Sequence, residues 1–353
     1  MKLKNLRHQI NKLDKRIVGL LNQRAGITRK IGTLKRGSGG GVYSPDREQD
    51  VLKRISLQNR GPLTSDGLKA IYREVMSCSL SADKNLRLAY LGPKATFTHL
   101  AALKRFGSQV EYVACKNISD VFLEVERDNA DYGVVPIENT IEGVVSHTLD
   151  MFIDSDLKIC AQIILDVSHN LMANVLKKSI KRVYSNPHVF GQCRLWLQEN
   201  LPGAERIEVS STTRAAQIAA KAKGAACIGS SLAARVYKLK IIARGIEDSP
   251  HNITRFLVIA KIDVPATGDD RTSVMFSIKD KVGALHDMLL PFKRNKINLT
   301  KIESRPSKKK AWDYYFYVDF KGHKDNPRVR KALAQLESKC KFLKVLGSYP
   351  MGE

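Results

Sequence analysis

The stretch Leu86-Arg87-Leu88-Ala89-Tyr90-Leu91-Gly92-Pro93-Lys94-Ala95-Thr96-Phe97-Thr98 decides the architecture at the centre of this 353-residue chain. An apolar run of strand length enters a Gly-Pro loop. A helix with Leu100, Ala101, Leu103 and Phe106 on one face leaves it, which is the opening of a β–α unit. The pattern continues outward. Residues 132–137 and the segment ending at Cys227-Ile228-Gly229 read as further buried strands, and 117–128, 190–200 and 212–223 as amphipathic helices. Open α/β sheets bind ligands at the carboxyl ends of their strands. Loops at such ends carry clustered hydroxyls and amides at Thr96, Glu138-Asn139-Thr140, Ser185-Asn186-Pro187, Ser210-Ser211-Thr212-Thr213 and Asn252-Ile253-Thr254-Arg255-Phe256. Any one cluster could serve as a helix cap; five together point to a binding cleft.

Upstream, Leu3, Leu6, Ile10, Leu13, Ile17, Leu20 and Leu21 recur at helical spacing, and Ile27, Ile31 and Leu34 extend the stripe. The run Gly37-Ser38-Gly39-Gly40-Gly41 ends it and reads as a hinge, since no phosphate-loop lysine follows. Ser44 as N-cap, Pro45 at the first helical position and Asp46 open a second helix. Gly61-Pro62 breaks it, and a third runs from about Ser65 to Asp83. Three helices of this length have too little core alone, so a second copy is expected to complete it. Arg24 and Lys35, eleven residues apart, fall within about 20° of one face and about 16 Å along the axis, placed to converge on one anion.

Downstream, residues 272–278 alternate like a strand, a helix follows from Gly283 to about Asn295, and strands are expected around 298–304, from Trp312 to Phe320 and over 344–348, with a helix over 326–338. The order βαββαβ is a ferredoxin-like α+β sandwich.

The net charge of +24 sits at the two ends. Residues 1–84 hold 18 Lys and Arg against 7 Asp and Glu, 85–269 hold 22 against 19, and 270–353 hold 19 against 9. The tight run Lys308-Lys309-Lys310 beside Pro306 reads as an exposed turn, and no nucleic-acid motif accompanies the basic ends. Small acidic ligands are therefore expected, with no nucleic-acid partner. Six scattered cysteines and no Cys/His cluster predict free thiols and no metal. No apolar run reaches membrane length, so the expected setting is cytoplasmic, with no membrane association.

Three resemblances organise these motifs. Arg7, Arg24, Lys35, Arg47, Glu48 and Ser79, in that order and spacing, resemble the all-helical class of chorismate mutase, a family of intertwined dimers with three helices per chain. The resemblance implies that Arg7 crosses into the partner's site, and that Arg24, Arg47 and Ser79 hold substrate carboxylates. Lys35 would face the ether oxygen and Glu48 the ring hydroxyl. Such a rearrangement needs only a folded substrate conformer and positive charge at the breaking ether bond. Ser44 stands where an aspartate is frequent, and Asp83 where the family has Gln or Glu at the ether oxygen; a carboxylate there implies activity that rises in acid.

The stretches GPKATF at 92–97, VPIENTIEG at 135–143, YSNP with Gln192, SSTTRAA at 210–216 and NITRF at 252–256 resemble prephenate dehydratase. That family has a two-lobed, periplasmic-binding-protein-like α/β fold with its site between the lobes. The resemblance implies Thr254 at the departing hydroxyl, Asn139, Ser185, Gln192, Ser211, Thr212 and Thr96 around the substrate, and Phe256 packing beside it. Arg255 has two open roles, carboxylate anchor or structural ion-pair partner. Glu138 likewise either tunes the acid or pairs with an arginine. Ala95 replaces the usual glycine, and Asn186 the frequent histidine; His99, His147, His169, His188 and His251 read as ordinary residues.

Gly283-Ala284-Leu285 and Glu303-Ser304-Arg305-Pro306 resemble the hallmarks of the ACT regulatory domain, implying phenylalanine as effector, with Asn298 and Leu299 as further contacts. The expected organisation is a mutase unit over 1–84, a dehydratase unit over 85–266 and an ACT unit over 270–353. The expected partners are chorismate, prephenate, L-phenylalanine and a second copy in a homodimer. No cofactor is expected. Two alternatives stay open: a metabolite sensor with impaired catalysis, and arogenate as the dehydratase substrate.

Overall fold

The computed structural model describes residues 3–37, 44–83, 85–278, 281–307 and 314–351. Most of the glycine hinge, the triple lysine and Trp312 lie outside them, as do the side chains of Lys35 and Asp83.

Helix α1 (Leu3–Gly37) is one unbroken element of 35 residues, about 50 Å at 1.5 Å per residue. Helices α2 (Pro45–Gln58) and α3 (Ser65–Asp83) complete the helical unit, with α1 and α2 each packed on α3. The apolar stripe of α1 has little to cover it within the chain: Ile10, Leu13 and Ile17 are each more than half exposed.

The central unit has two lobes. In the first, β1 (Arg87–Leu91), β2 (Glu111–Cys115), β3 (Tyr132–Asn139), β4 (Gly143–Val144) and β5 (Lys158–Asp166) share a sheet with the returning strand β11 (Ile253–Ala260), in the order β2-β1-β3-β11-β5, with β4 hung on β3. Strands β1, β2 and β3 are parallel, joined through α4 (Phe97–Phe106) and α5 (Ile118–Glu126), whereas β11 runs antiparallel to both β3 and β5. After β1 the chain steps to β2 on one side and then to β3 on the other. This switch opens a crevice at the carboxyl ends of β1 and β3, where the Gly92 and Asn139 loops stand. Helix α6 (Ser146–Asp154) covers a face of this lobe.

The second lobe is built from β6 (Asn170–Ala173), β7 (Arg182–Ser185), β8 (Glu205–Glu208), β9 (Ala225–Gly229) and β10 (Lys240–Ala243), in the order β10-β6-β9-β7-β8. Its switch lies at β7, between β8 and β9. Helices α7 (Pro187–Gln192), α8 (Arg194–Asn200), α9 (Thr212–Ala219) and α10 (Ser231–Val236) flank it.

The C-terminal unit, β12 (Asp270–Ser277), α11 (Ala284–Arg294), β13 (Leu299–Pro306), β14 (Tyr314–Lys321), α12 (Pro327–Glu337) and β15 (Phe342–Pro350), forms the expected βαββαβ sandwich with sheet order β13-β14-β12-β15. Its sheet packs on the first lobe: Met275, Tyr317, Leu346 and Tyr349 share a core with Ile137, Phe152, Ile159 and Leu257. The approach is close enough that a Cβ at Gly347 would fall 2.2 Å from the Ile159 carbonyl oxygen, so only glycine fits. No helix among the described residues is long and apolar enough to cross a membrane.

Candidate active sites

The three N-terminal helices enclose a pocket of about 480 Å³. Arg24 from α1, Arg47 and Glu48 from α2, and Ser79 from α3 line it, with Ser44 at its edge. Arg24 Nη1 donates to Ser79 Oγ at 2.8 Å, and Ser79 in turn donates to the Val75 carbonyl at 2.8 Å. Three residues far apart in sequence thus bring cationic and hydroxyl donors to one cavity, a suitable binder for a dicarboxylate. Ser44 holds the N-cap position of α2, yet its side chain makes no cap bond. Arg7 lies about 25 Å up α1 from Arg24 and does not reach this pocket.

The second constellation forms where the two lobes meet. Asn139 ends β3 and Thr254 lies opposite it on β11. Asn139 Oδ1 accepts from the N–H groups of Ile141 and Glu142, both at 2.9 Å. This fixes the amide orientation and turns Nδ2 toward Thr254 Oγ1 at 2.8 Å. Thr254 Oγ1 is therefore an acceptor from Asn139, and its own proton is left to donate elsewhere. Asn139 Nδ2 also reaches Asn252 Oδ1 at 2.8 Å, Asn252 donates to Gln192 Oε1 at 2.9 Å, and His169 Nε2 meets the same oxygen at 2.7 Å. Gln192 donates onward to Glu142. One polar chain thus runs from β11 in the first lobe to α7 in the second, beside an open hollow of about 550 Å³ lined by Glu142, His188, Gln192 and Asp248.

Burial lowers the His169 pKa, against the opposing hydrogen bond to Gln192, so a neutral ring with its proton on Nε2 suits this network. His99 is pushed down to about 4 by burial and by nearby Lys94. Its Nδ1 accepts from the Ala95 N–H at 3.0 Å. That contact supports Ala95 in a left-handed conformation (φ 74°) that glycine would adopt without strain.

Several expected substrate contacts also have structural partners within the chain. Thr96 caps α4 through His99 N–H and donates to the Leu91 carbonyl. Ser211 caps α9 through Arg214 N–H, and fully buried Ser185 donates to the Ile228 carbonyl at 3.0 Å. Thr212, at the start of α9, packs its Cβ over Gly229. Phe256 lies in the first lobe's core with Tyr90 and Val134.

Arg255 takes the ion-pair role. Strand alternation turns it to the face opposite Thr254. There it is 5% exposed, with Nη2 2.7 Å from Asp319 Oδ2 and Nε 2.6 Å from Glu138 Oε1. Burial alone would lower its pKa; Asp319 chiefly, with Tyr349 and Glu138, outweighs that and raises it. Glu138 likewise pairs, with Arg255 and with Lys301 of β13.

In the C-terminal unit Gly283 adopts φ 77° just before α11, Ala284 is buried, and Leu285 is exposed. Helix α11 is about 15 Å long. Gly283 and the pair Asn298 and Leu299 therefore lie at opposite ends of this unit. Glu303, Ser304, Arg305 and Pro306 lie on β13, an open sheet edge; Arg305 pairs with Asp150 of α6 at 3.3 Å.

Asn252, His169 and Glu142 were absent from the expected site, although Asn252 sits inside the NITRF stretch. Arg105 was absent too. It borders the helical pocket and pairs with Glu48, and nothing in its sequence setting distinguishes it from a helix-terminal cation.

Comparisons with known proteins follow the same division. The chorismate mutase type II family matches residues 6–84, the prephenate dehydratase family residues 88–263, and the ACT domain residues 272–338. A protein of Aquifex aeolicus described as a bifunctional chorismate mutase/prephenate dehydratase is 50% identical over 353 residues, covering 99% of this chain and 98% of its own. One of the same description from Pseudomonas aeruginosa is 42% identical over 355 residues, covering 99% and 97%. A solved prephenate dehydratase from Arthrobacter aurescens, in complex with L-Phe, is similar with TM-score 0.70 at 33% identity, over 75% of this chain and 90% of that one.

Proposed function

This chain belongs to the family of bifunctional chorismate mutase/prephenate dehydratases, and from that premise we propose how its residues divide the work. It is a two-reaction enzyme with an ACT regulatory domain. The mutase unit (1–84) rearranges chorismate to prephenate: the ether C–O bond breaks as a C–C bond forms. Arg24, Arg47 and Ser79 grip the carboxylates, Glu48 accepts the ring hydroxyl, and Lys35 faces the ether oxygen. The cavity that Arg24, Arg47, Glu48 and Ser79 share, and the 2.8 Å Arg24–Ser79 bond, support their part of this assignment.

The dehydratase unit (85–266) takes prephenate to phenylpyruvate. The bond to the ring carboxylate breaks and carbon dioxide leaves. Its electron pair aromatises the ring, and the ring hydroxyl departs as water after gaining a proton. Thr254 donates to that departing oxygen. The observation that supports this role is the Asn139 amide, oriented by two backbone N–H groups so that Thr254 accepts from it and keeps its own proton to donate. Asn252, Gln192 and His169 hold the constellation across the lobes.

The active assembly is a homodimer. More than half-exposed Ile10, Leu13 and Ile17 give α1 an apolar face that a second copy would bury, at a gain of roughly 1 kcal/mol or more per side chain. The same pairing brings in Arg7. In the ACT unit (270–353), Gly283 and Asn298 lie at opposite ends, so a phenylalanine touching both would bind between two copies.

The experiment is a combined assay. Purified full-length protein given chorismate should accumulate prephenate and then phenylpyruvate, with L-phenylalanine slowing the second step. Tight prephenate binding without turnover would instead favour a sensor. Faster turnover of arogenate than of prephenate would reassign the second substrate.

A further inference from the structure

We propose that Arg105, at the far end of α4 in the dehydratase unit, is a positioning residue for the mutase reaction; this deepens the reading above and rests on it. Arg105 Nη2 lies 3.1 Å from Glu48 Oε2, and the pair is well shielded, with side-chain exposures of 19% and 10%. Arg105 and Phe106 line the same cavity as Arg24, Arg47 and Ser79. The dehydratase unit therefore supplies part of the mutase pocket's wall.

The guanidinium is fixed relative to the mutase helices, because the turn that follows it is locked to α3. Gly107 (φ 73°) approaches Ser77 so closely that a Cβ there would stand 2.6 Å from the Ser77 Cβ. Ser77 Oγ accepts from Gln109 N–H at 3.0 Å, and Glu74 Oε2 accepts from both the N–H and the hydroxyl of Ser108. Any cation suits the C-terminus of α4. Lys104 stays within its own unit, donating to the Ile164 carbonyl of β5, whereas Arg105 crosses to another unit.

Glu48 is the one carboxylate among the described lining residues of a cavity that also holds Arg24, Arg47 and Arg73. Left to those arginines, it would compete with the two carboxylates of chorismate for the same donors. Arg105 engages it from the opposite wall and holds it at the ring-hydroxyl position, leaving the inner arginines to the substrate. Helix α4 starts at the lobe junction with Thr96 and ends here about 15 Å away, so one element borders both catalytic sites.

The test compares Arg105→Gln, Arg105→Lys, Glu48→Gln and the Arg105→Gln/Glu48→Gln double variant in the full-length protein. Mutase activity is followed with chorismate and dehydratase activity with added prephenate. Arg105→Gln should lower mutase kcat by roughly 10-fold or more, shift KM for chorismate by less than about 3-fold, and leave prephenate turnover within about 2-fold. Arg105→Lys should recover part of the loss. Added to Glu48→Gln, Arg105→Gln should cost less than about 2-fold more, because it acts through a carboxylate already gone. Wild-type mutase kinetics in Arg105→Gln, a full multiplicative loss in the double variant, or a parallel fall in both activities would overturn the proposal. A wild-type chain that turns over prephenate but never chorismate would instead sink the reading of the pocket itself.

Discussion

Arg255 Nη2 lies 2.7 Å from Asp319 Oδ2, a buried ion pair that ties β11, one residue from Thr254, to the ACT sheet. Ser273 Oγ donates to the other Asp319 oxygen at 2.6 Å, and Lys301 and Arg305 reach Glu138 and Asp150 of the first lobe. Any shift of the ACT sheet on effector binding would therefore pull directly on the strand that carries Thr254. Asp319→Asn should raise the phenylalanine concentration for half-inhibition by roughly 10-fold, a coupling loss of about 1.4 kcal/mol. It should also cost about 2 kcal/mol of stability, because buried Arg255 then keeps only Glu138 as a charged partner. Dehydratase inhibition curves and thermal unfolding check this; unchanged inhibition would remove the pair from the route.

Thr254 and Asn139 should behave as a donor and its orienting partner. Thr254→Val deletes the proton donor and should lower dehydratase kcat by roughly 10²–10³, about 3–4 kcal/mol, while Thr254→Ser retains most of it. Mutase activity should stay at wild-type level in both. Steady-state kinetics with prephenate and chorismate separate the cases.

Arg24 and Ser79 form the mutase counterpart. Arg24→Ala should lower mutase kcat/KM by at least roughly 100-fold, and Arg24→Lys should recover little, since a point charge cannot hold both Ser79 and a carboxylate in the guanidinium geometry. Prephenate turnover serves as the internal control.

The apolar face of α1 predicts an oligomeric dependence. Ile17→Asp places a charge at the centre of that stripe and should yield a monomer by sedimentation. Mutase activity should fall to background, because Arg7 of the second copy no longer reaches the pocket. A dimer with full activity would reject the pairing along α1.

His99 supplies a pH prediction. Its folded pKa, about 4, lies below the usual value of 6.5, so the unfolded chain binds more protons between those limits and stability falls as pH drops from 6.5 to 4. Above pH 6.5 the contribution is fully present. His99→Gln, which keeps an acceptor for the Ala95 N–H, should flatten this loss by on the order of 2 kcal/mol. Melting temperatures from pH 7 to pH 4 measure it; identical slopes would place the acid sensitivity elsewhere.

Local patterning carried much of the architecture. The 3.6-residue apolar stripe made α1 legible, Ser44-Pro45 marked the start of α2, and alternating apolar runs with Gly92, Asn139 and Gly229 at their ends placed the strands and their loops. These signals lie within a few residues of one another, and periodicity is a property of the local chain.

The division of roles among polar residues was decided by the tertiary structure. Ser185 and Thr254 are both hydroxyls at strand ends, yet one is spent on Ile228 and the other is oriented by Asn139, 115 residues away. Arg255 could have gripped a substrate carboxylate, but Asp319 claims it from another domain; Arg105 looked like a helix-end cation until the fold brought Glu48 of α2 within 3.1 Å. A donor or a charge has its function set by whichever group stands about 3 Å away, and only the folded chain chooses that neighbour.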